Sequence, residues 1–139
     1  MEDRLRLEHE RDQSQRRFQR IFKLNPTALM IQFAGTRTVL DINPAFERGF
    51  GYPGDQLVGQ PASRLWADDL QWQAHCRLLF ERGKTDWQHC RWLRADGLAA
   101  EVVVCSELSE DPGGMLILTT VLPSVAQAPP AGPNLPAVT

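Results

Sequence analysis

The 139-residue sequence predicts an α+β domain, a five-stranded antiparallel sheet with short helices and one longer helix on one face, preceded by an N-terminal helix. Three observations predict it. Strand-length apolar runs separated by turn residues occur both early and late in the chain. Between them, Asp68 to Gly83 repeats its apolar residues at helical spacing. Just before that, Asn43 to Gly59 crowds helix-start, helix-stop and turn signals into one short run.

The elements follow in order. Residues 2–24 are rich in Arg, Glu, Gln and Leu, strong helix formers, with supporting i,i+4 pairs at Glu2/Arg6 and Asp12/Arg16. A coiled-coil register through Leu7, Arg11, Ser14, Phe18 and Ile21 is apolar only at its ends, so a solvated linker helix and a dimer-forming helix both fit. The helix turns apolar at Phe18, Ile21, Phe22 and Leu24, which should dock on the domain. Asn25-Pro26-Thr27 breaks it. Leu29, Ile31 and Phe33 alternate with Met30 and Gln32 as a half-buried strand, Ala34 to Arg37 turns, and Val39 to Ile42 returns. Asn43 then caps a short helix with Pro44 at its first position, Phe46 and Phe50 sharing one face and Gly49 and Gly51 ending it.

Asp68-Asp69 reads as the start of the long helix, where acid suits the dipole, and not as a catalytic carboxylate pair, because adjacent helical residues point apart. Trp72, His75, Cys76, Leu78, Leu79 and Phe80 share its broad apolar arc, and Gly83 stops it. Strands at 87–94 and 98–106 meet at Asp96-Gly97. A two-residue turn there sets Trp92 opposite Glu101, and a loop one residue longer sets it opposite Val102. The second is preferred, because it turns Cys90 and Trp92 inward with the valines and leaves Arg91 near Glu101 outside. Ser109 to Gly114 is a loop, and Met115 to Leu122 is the last strand. From Pro123 onward the chain carries five of its ten prolines, no charge and no aromatic residue, the composition of a disordered tail.

Composition narrows function. The net charge of −2 includes seven basic and five acidic residues within 1–24, so the rest is net negative and nucleic-acid binding is not expected. Cys76, Cys90 and Cys105 form no CxxC pair, which argues against a disulfide framework or a zinc site and for a reducing cytoplasm. No apolar leader or spanning run points to secretion or a membrane. No Gly-x-Ser-x-Gly elbow, HExxH, P-loop or dinucleotide fingerprint is present, so catalysis is not expected.

Asn43, Ala45 and Phe46, then Gly51-Tyr52, Leu57 and Gly59, and far downstream Arg91 and Asp96-Gly97, resemble the PAS sensor domain in residue type and joint spacing. The resemblance covers about residues 18 to 122 and implies three parts: residues 1–24 as a linker or dimerisation helix, 18–122 as the PAS domain and 123–139 as a Pro-rich tail. It implies a cytoplasmic sensing and dimerising module of a signal-transduction protein, in two-component or cyclic-nucleotide signalling, and not an enzyme; the alternatives are a haem-binding redox or gas sensor and a ligand-free interaction domain whose sheet face or Pro-rich tail recruits a partner protein. The implied homodimer would form through Leu5, Leu7, Phe18, Ile21 and Phe22. PAS domains that drive an output domain usually leave the last strand through an Asp-Ile-Thr-like turn, and Leu122-Pro123-Ser124 departs from that pattern.

The same resemblance implies a cavity between the sheet's concave face and the helices, for an unidentified small molecule or filled by side chains. By alternation Phe33, Trp92, Val102 and Val104 line it from the strands and Phe46 and Leu79 from the helices, with Trp66, Trp72 and His75 beside them. Haem-binding PAS domains carry their iron ligand on the long helix, so His75 would be the metal ligand if haem is bound. Otherwise no cofactor or metal is expected, and His75 would be a core or edge histidine satisfied by a backbone partner. Trp66, Trp72 and Trp92 would crowd a porphyrin, and only Gln88 falls near the usual distal strand position. Where the light-sensing LOV branch carries its reactive cysteine this chain has Ala62, which removes the thiol a covalent flavin adduct needs.

Overall fold

A computed structural model describes residues 13, 15–111 and 113–124. Leu5, Leu7 and the tail from 125 onward lie outside the described residues. Helix α1 (15–24) leads into β1 (Ala28–Phe33) and β2 (Val39–Ile42), followed by α2 (Pro44–Phe50), α3 (Gly54–Leu57), a 3-10 turn at Ala62–Leu65 and α4 (Asp69–Arg82). Strands β3 (Gln88–Leu93), β4 (Ala99–Asp111) and β5 (Gly114–Pro123) complete one antiparallel sheet in the order β2-β1-β5-β4-β3.

Local chemistry sets the helix limits. Asn43, extended at φ −90° and ψ 167°, accepts the Phe46 N–H on Oδ1 and so caps α2, while Gly51 ends it in the left-handed region at φ 78°. Asp68 caps α4 through the Leu70 N–H at 2.9 Å, and Gly83 at φ 83° closes it. Beyond α4 the backbone runs along β4, with Leu108 N–H donating to Gly83 O at 2.8 Å and Thr85 N–H to Ser106 O at 2.9 Å.

The main core lies between the sheet's inner face and the helices. Met30, Val39, Ile42, Trp92, Val102, Val104 and Val121 meet Phe46, Phe50, Leu57 and Leu65 there. On the outer face Phe22 of α1 packs on Leu29 and Ile31, with Leu40, Leu116 and Leu118 around it.

Several expectations are corrected. Phe33 faces outward with Leu29 and Ile31 and is 42% exposed, so it lines no inner cavity; Met30 and Gln32 occupy the inner face of β1. Helix α1 covers the outer face, which makes both faces of β1 apolar and blurs the alternation that would assign them. The β3–β4 loop holds three residues, Ala95 to Gly97, closed by Arg94 N–H to Leu98 O at 2.8 Å. Trp92 therefore pairs with Ala100 and not Val102, although Arg91 does pair with Glu101 and Cys90 and Trp92 do face inward. The preferred register had the correct parity but was displaced by two residues.

Ser109 to Asp111 are strand and not loop, because β4 and β5 stay paired out to Asp111 and Gly114. The exposed end carries polar residues that give no apolar alternation. Pro123 belongs to β5, and Ser124 N–H still bonds Glu101 O at 3.0 Å. Of the apolar residues expected to dock α1, only Phe22 is buried, at 4%; Phe18, Ile21 and Leu24 remain 50%, 59% and 75% exposed. On α4, Phe80 is exposed beneath the Arg37 guanidinium, 5.0 Å from its ring centre.

Gly97 sits at φ 85° with open space where a Cβ would go. Gly97→Ala is therefore expected to cost about 1 kcal/mol, from backbone strain alone. Urea unfolding checks this, and an unchanged midpoint would show the loop relaxing.

Candidate functional site

The inward-facing aromatic residues form one continuous cluster. Trp66 lies 5.6 Å from both Trp72 and Trp92 and 5.0 Å from the His75 ring, and Trp92 lies 6.1 Å from Phe46 and 5.8 Å from Phe50. Of the residues expected to line a cavity, Phe46, Trp66, Trp72, His75, Leu79, Trp92, Val102 and Val104 all lie on the inner side and all are buried. The space beside His75, Trp66, Trp72 and Leu79 has no volume for a water molecule. These side chains meet as a packed core.

Within that core runs a chain of polar side chains. His75, 2% exposed, places Nδ1 2.6 Å from Gln88 Oε1 and Nε2 2.8 Å from Ser106 Oγ. Ser106 Oγ lies 2.8 Å from Thr119 Oγ1, which accepts from Gln32 Nε2 at 3.0 Å. Every donor direction follows from the two ends. An amide oxygen only accepts, so Nδ1 of His75 carries the proton and Nε2 accepts from the Ser106 hydroxyl. Ser106 then accepts from Thr119, and Thr119 from Gln32. The chain ties α4 to β1, β3, β4 and β5, and it ends at Gln32 Oε1, which is buried without a partner among the described residues.

Burial holds the His75 pKa below the ordinary imidazole value, and the Gln88 hydrogen bond offsets only part of this. His75 is therefore a neutral link in the chain. Its two nitrogens are already bonded and its ring packs on Trp66, so the arrangement offers neither a free axial nitrogen nor room for a porphyrin. The residues present do not fit haem. Among the described residues no cluster of three or more His, Cys, Asp or Glu is placed to hold a metal ion.

Ala62 is fully buried in the 3-10 turn. The three cysteines are free, and burial raises each thiol, Cys90 to about 12, with the neighbouring Trp92 N–H lowering it only in part. None has the lowered pKa of a reactive thiol.

Gln32, Ser106 and Thr119 were not among the residues singled out from the sequence. The signal was available, since each is a polar residue at an inward position of its strand, two residues from an inward apolar neighbour (Met30, Val104 and Val121). A partnered polar residue at such a position marks a buried network.

A separate cleft of about 300 Å³ opens between α2 and one end of the sheet, walled by Ala45, Gly49 and Phe50 on one side and Ala28, Ala100 and Val121 on the other.

This fold, a five-stranded antiparallel sheet holding short helices and one long helix on its inner face, defines a PAS-type sensory domain. A PAS-domain family profile matches residues 16–85, half of the chain, and the chain belongs to the PAS domain family. Solved structures agree in fold. The PAS domain of an HTR-like protein from Haloarcula marismortui superposes with a TM-score of 0.69 at 18% identity, covering 86% of this chain and 98% of that one. A PAS domain from a two-component sensor histidine kinase gives 0.68 at 16% identity, covering 80% and 99%. An RNA-binding light-oxygen-voltage receptor gives 0.66 at 20% identity over 76% of this chain, which spans about a third (32%) of that receptor. Among curated proteins no relative matches the sequence. No helix among the described residues is long and apolar enough to cross a membrane.

Proposed function

We propose that the chain is the sensing and dimerising module of a signal-transduction protein, which passes a change in its own packing to the N-terminal helix and through it to a second copy. The histidine-kinase neighbour supports a phosphotransfer output. The observation that carries the reading is the half-docked state of α1. One residue, Phe22, is buried on the outer face of the sheet with the Phe18 ring stacked on it at 6.1 Å, while Phe18, Ile21 and Leu24 remain at least half exposed. A helix anchored at one buried apolar residue with three others exposed suits an exchange between two arrangements, one of them covered by a partner helix.

Asn43 supplies the coupling. Its amide donates to Phe22 O at 3.0 Å and Thr27 O at 2.8 Å, and its Oδ1 accepts from Leu29 and Phe46. A shift of α2 therefore reaches the end of α1 through one side chain. A signal that binds one arrangement better moves the equilibrium by its differential affinity and no more.

Light scattering tests the dimer. The intact chain is expected to be dimeric, and Ile21→Glu to weaken association by at least about ten-fold without loss of helix signal, because the residue is exposed in the single chain. A chain starting near Phe18 is expected to associate less tightly. Monomers throughout would end the dimer reading.

A further inference from the structure

The buried polar chain crosses the sheet one strand at a time. Gln32 of β1, Thr119 of β5, Ser106 of β4 and Gln88 of β3 follow the strand order, with His75 of α4 between the last two. Each inner member donates once and accepts once, so all the bonds share one direction. The same contacts also serve the opposite direction. In that arrangement Gln88 Nε2 donates to Nδ1 of a His75 that carries its proton on Nε2. Nε2 then donates to Ser106, Ser106 to Thr119, and Thr119 to Gln32 Oε1. Only a half-turn of the two amides is needed.

The two arrangements hold the same number of hydrogen bonds and differ at their ends. The observed one leaves Gln32 Oε1 unpaired in the core, and the reverse leaves the Gln32 amide nitrogen unpaired instead. A buried carbonyl tolerates this better than a buried N–H, which favours the observed direction. At the other end Gln88 is half-buried at the edge strand, and its amide nitrogen makes no hydrogen bond among the described residues. The observed direction therefore offers a donor at that edge, and the reverse offers an acceptor.

We propose that this chain is a directional relay, in which the polar group that meets the Gln88 amide sets the direction of every bond through to Gln32. An acceptor beside Gln88 holds the observed direction, and a donor holds the reverse. The proton balance closes through solvent during brief opening of His75: Nε2 takes up one proton and Nδ1 releases one, with no net change in charge. Gln32 follows Ile31, which packs beneath Phe22 of α1, so the relay ends on the strand that carries the helix. Its effect on α1 rests on the signalling role proposed above; the relay itself does not.

The test is nitrogen NMR of the isotope-labelled chain in mildly alkaline solution, reading the His75 tautomer and the Gln32 side-chain amide. Gln88→Glu only accepts and Gln88→Lys only donates, and both charged ends reach water from a half-buried position. Wild type and Gln88→Glu are expected to carry the His75 proton on Nδ1. Gln88→Lys is expected to move it to Nε2, changing the tautomer ratio at least about ten-fold. The Gln32 amide protons should shift with it, as they lose Thr119. Ser106→Ala cuts the chain, so adding Gln88→Lys to it should leave the Gln32 signals unmoved.

A Gln32 amide indifferent to Gln88→Lys in the intact chain would overturn the relay. So would a Gln32 shift that survives Ser106→Ala, or one His75 tautomer in both Gln88 variants. Reversal at Gln32 in a chain that light scattering shows to be monomeric supports the relay and removes only its proposed link to the dimer.

Discussion

Asn43→Ala is expected to destabilise the domain by about 3 kcal/mol, combining the loss of a helix cap with buried backbone groups left unpaired. Asn43 is fully buried, and its side chain serves three segments at once. Its Oδ1 takes the N–H groups of Phe46 and Leu29 at 3.0 and 2.9 Å, and its Nδ2 reaches the carbonyls of Phe22 and Thr27, with Asn25 O more distant at 3.3 Å. Alanine strands the Leu29 N–H and the carbonyls that Nδ2 serves, while the Phe46 N–H keeps only its second acceptor, the Asn43 backbone carbonyl at 3.0 Å.

Asn43→Asp separates the two halves of the role. A carboxylate still caps α2 but sets negative charge against the carbonyls that Nδ2 satisfied, so the end of α1 should loosen while α2 stays protected. Hydrogen exchange checks this. Amides of residues 22–27 should exchange faster in the Asp variant than in wild type, with those of α2 unchanged. Equal protection in both segments would show that Asn43 does not tether α1.

The second large effect is pH-dependent. His75→Leu is expected to cost about 2 kcal/mol at pH near 7.5, because Gln88 Oε1 loses its donor and the Ser106 hydroxyl its acceptor. Burial lowers the His75 pKa in the folded state below the ordinary value of 6.5. Below that value the unfolded chain binds a proton that the folded chain refuses, so stability falls as pH drops through 6.5 towards the folded pKa. Above 6.5 both states hold neutral imidazole and the group contributes no slope.

The leucine variant lacks this penalty. Its deficit relative to wild type should therefore shrink as the pH is lowered from neutrality, and paired urea titrations measure that difference directly. A deficit that stays constant or widens would mean His75 is not held neutral.

What was legible in the sequence was local chemistry. The caps at Asn43 and Asp68 and the stops at Gly51 and Gly83 depend on one residue and its near neighbours, and they stand where the residue types put them. What required the assembled sheet was less legible. The inner face of β1 could not be chosen because a second layer makes Leu29 and Ile31 as apolar in purpose as Met30. The Trp92 register turned on one loop residue, and the preference for inward aromatics fixed parity without fixing position.

The site showed the same division. Phe46, Trp66, Trp72, His75, Leu79 and Trp92 were identified as inward residues, but identity alone does not say whether such residues enclose space or fill it. That depends on whether His75 finds Ser106 and Gln88, which are 31 and 13 residues away in sequence.

The course of the chain after α4 has a consequence for solubility. Strand β3 pairs with β4 only from Ala99 to Val104, which would leave the later backbone of β4 open to any extended peptide. Gly83 and Thr85 occupy those positions, Thr85 N–H donating to Ser106 O and Gly83 O accepting from Leu108 N–H. Beyond them, among the described residues, the exposed edge of β4 carries Ser109 and Glu110, with the half-exposed Met115 opposite on β5. An apolar strand from another molecule finds no ladder to extend there, so the long hairpin can reach past the body of the domain without seeding fibrils.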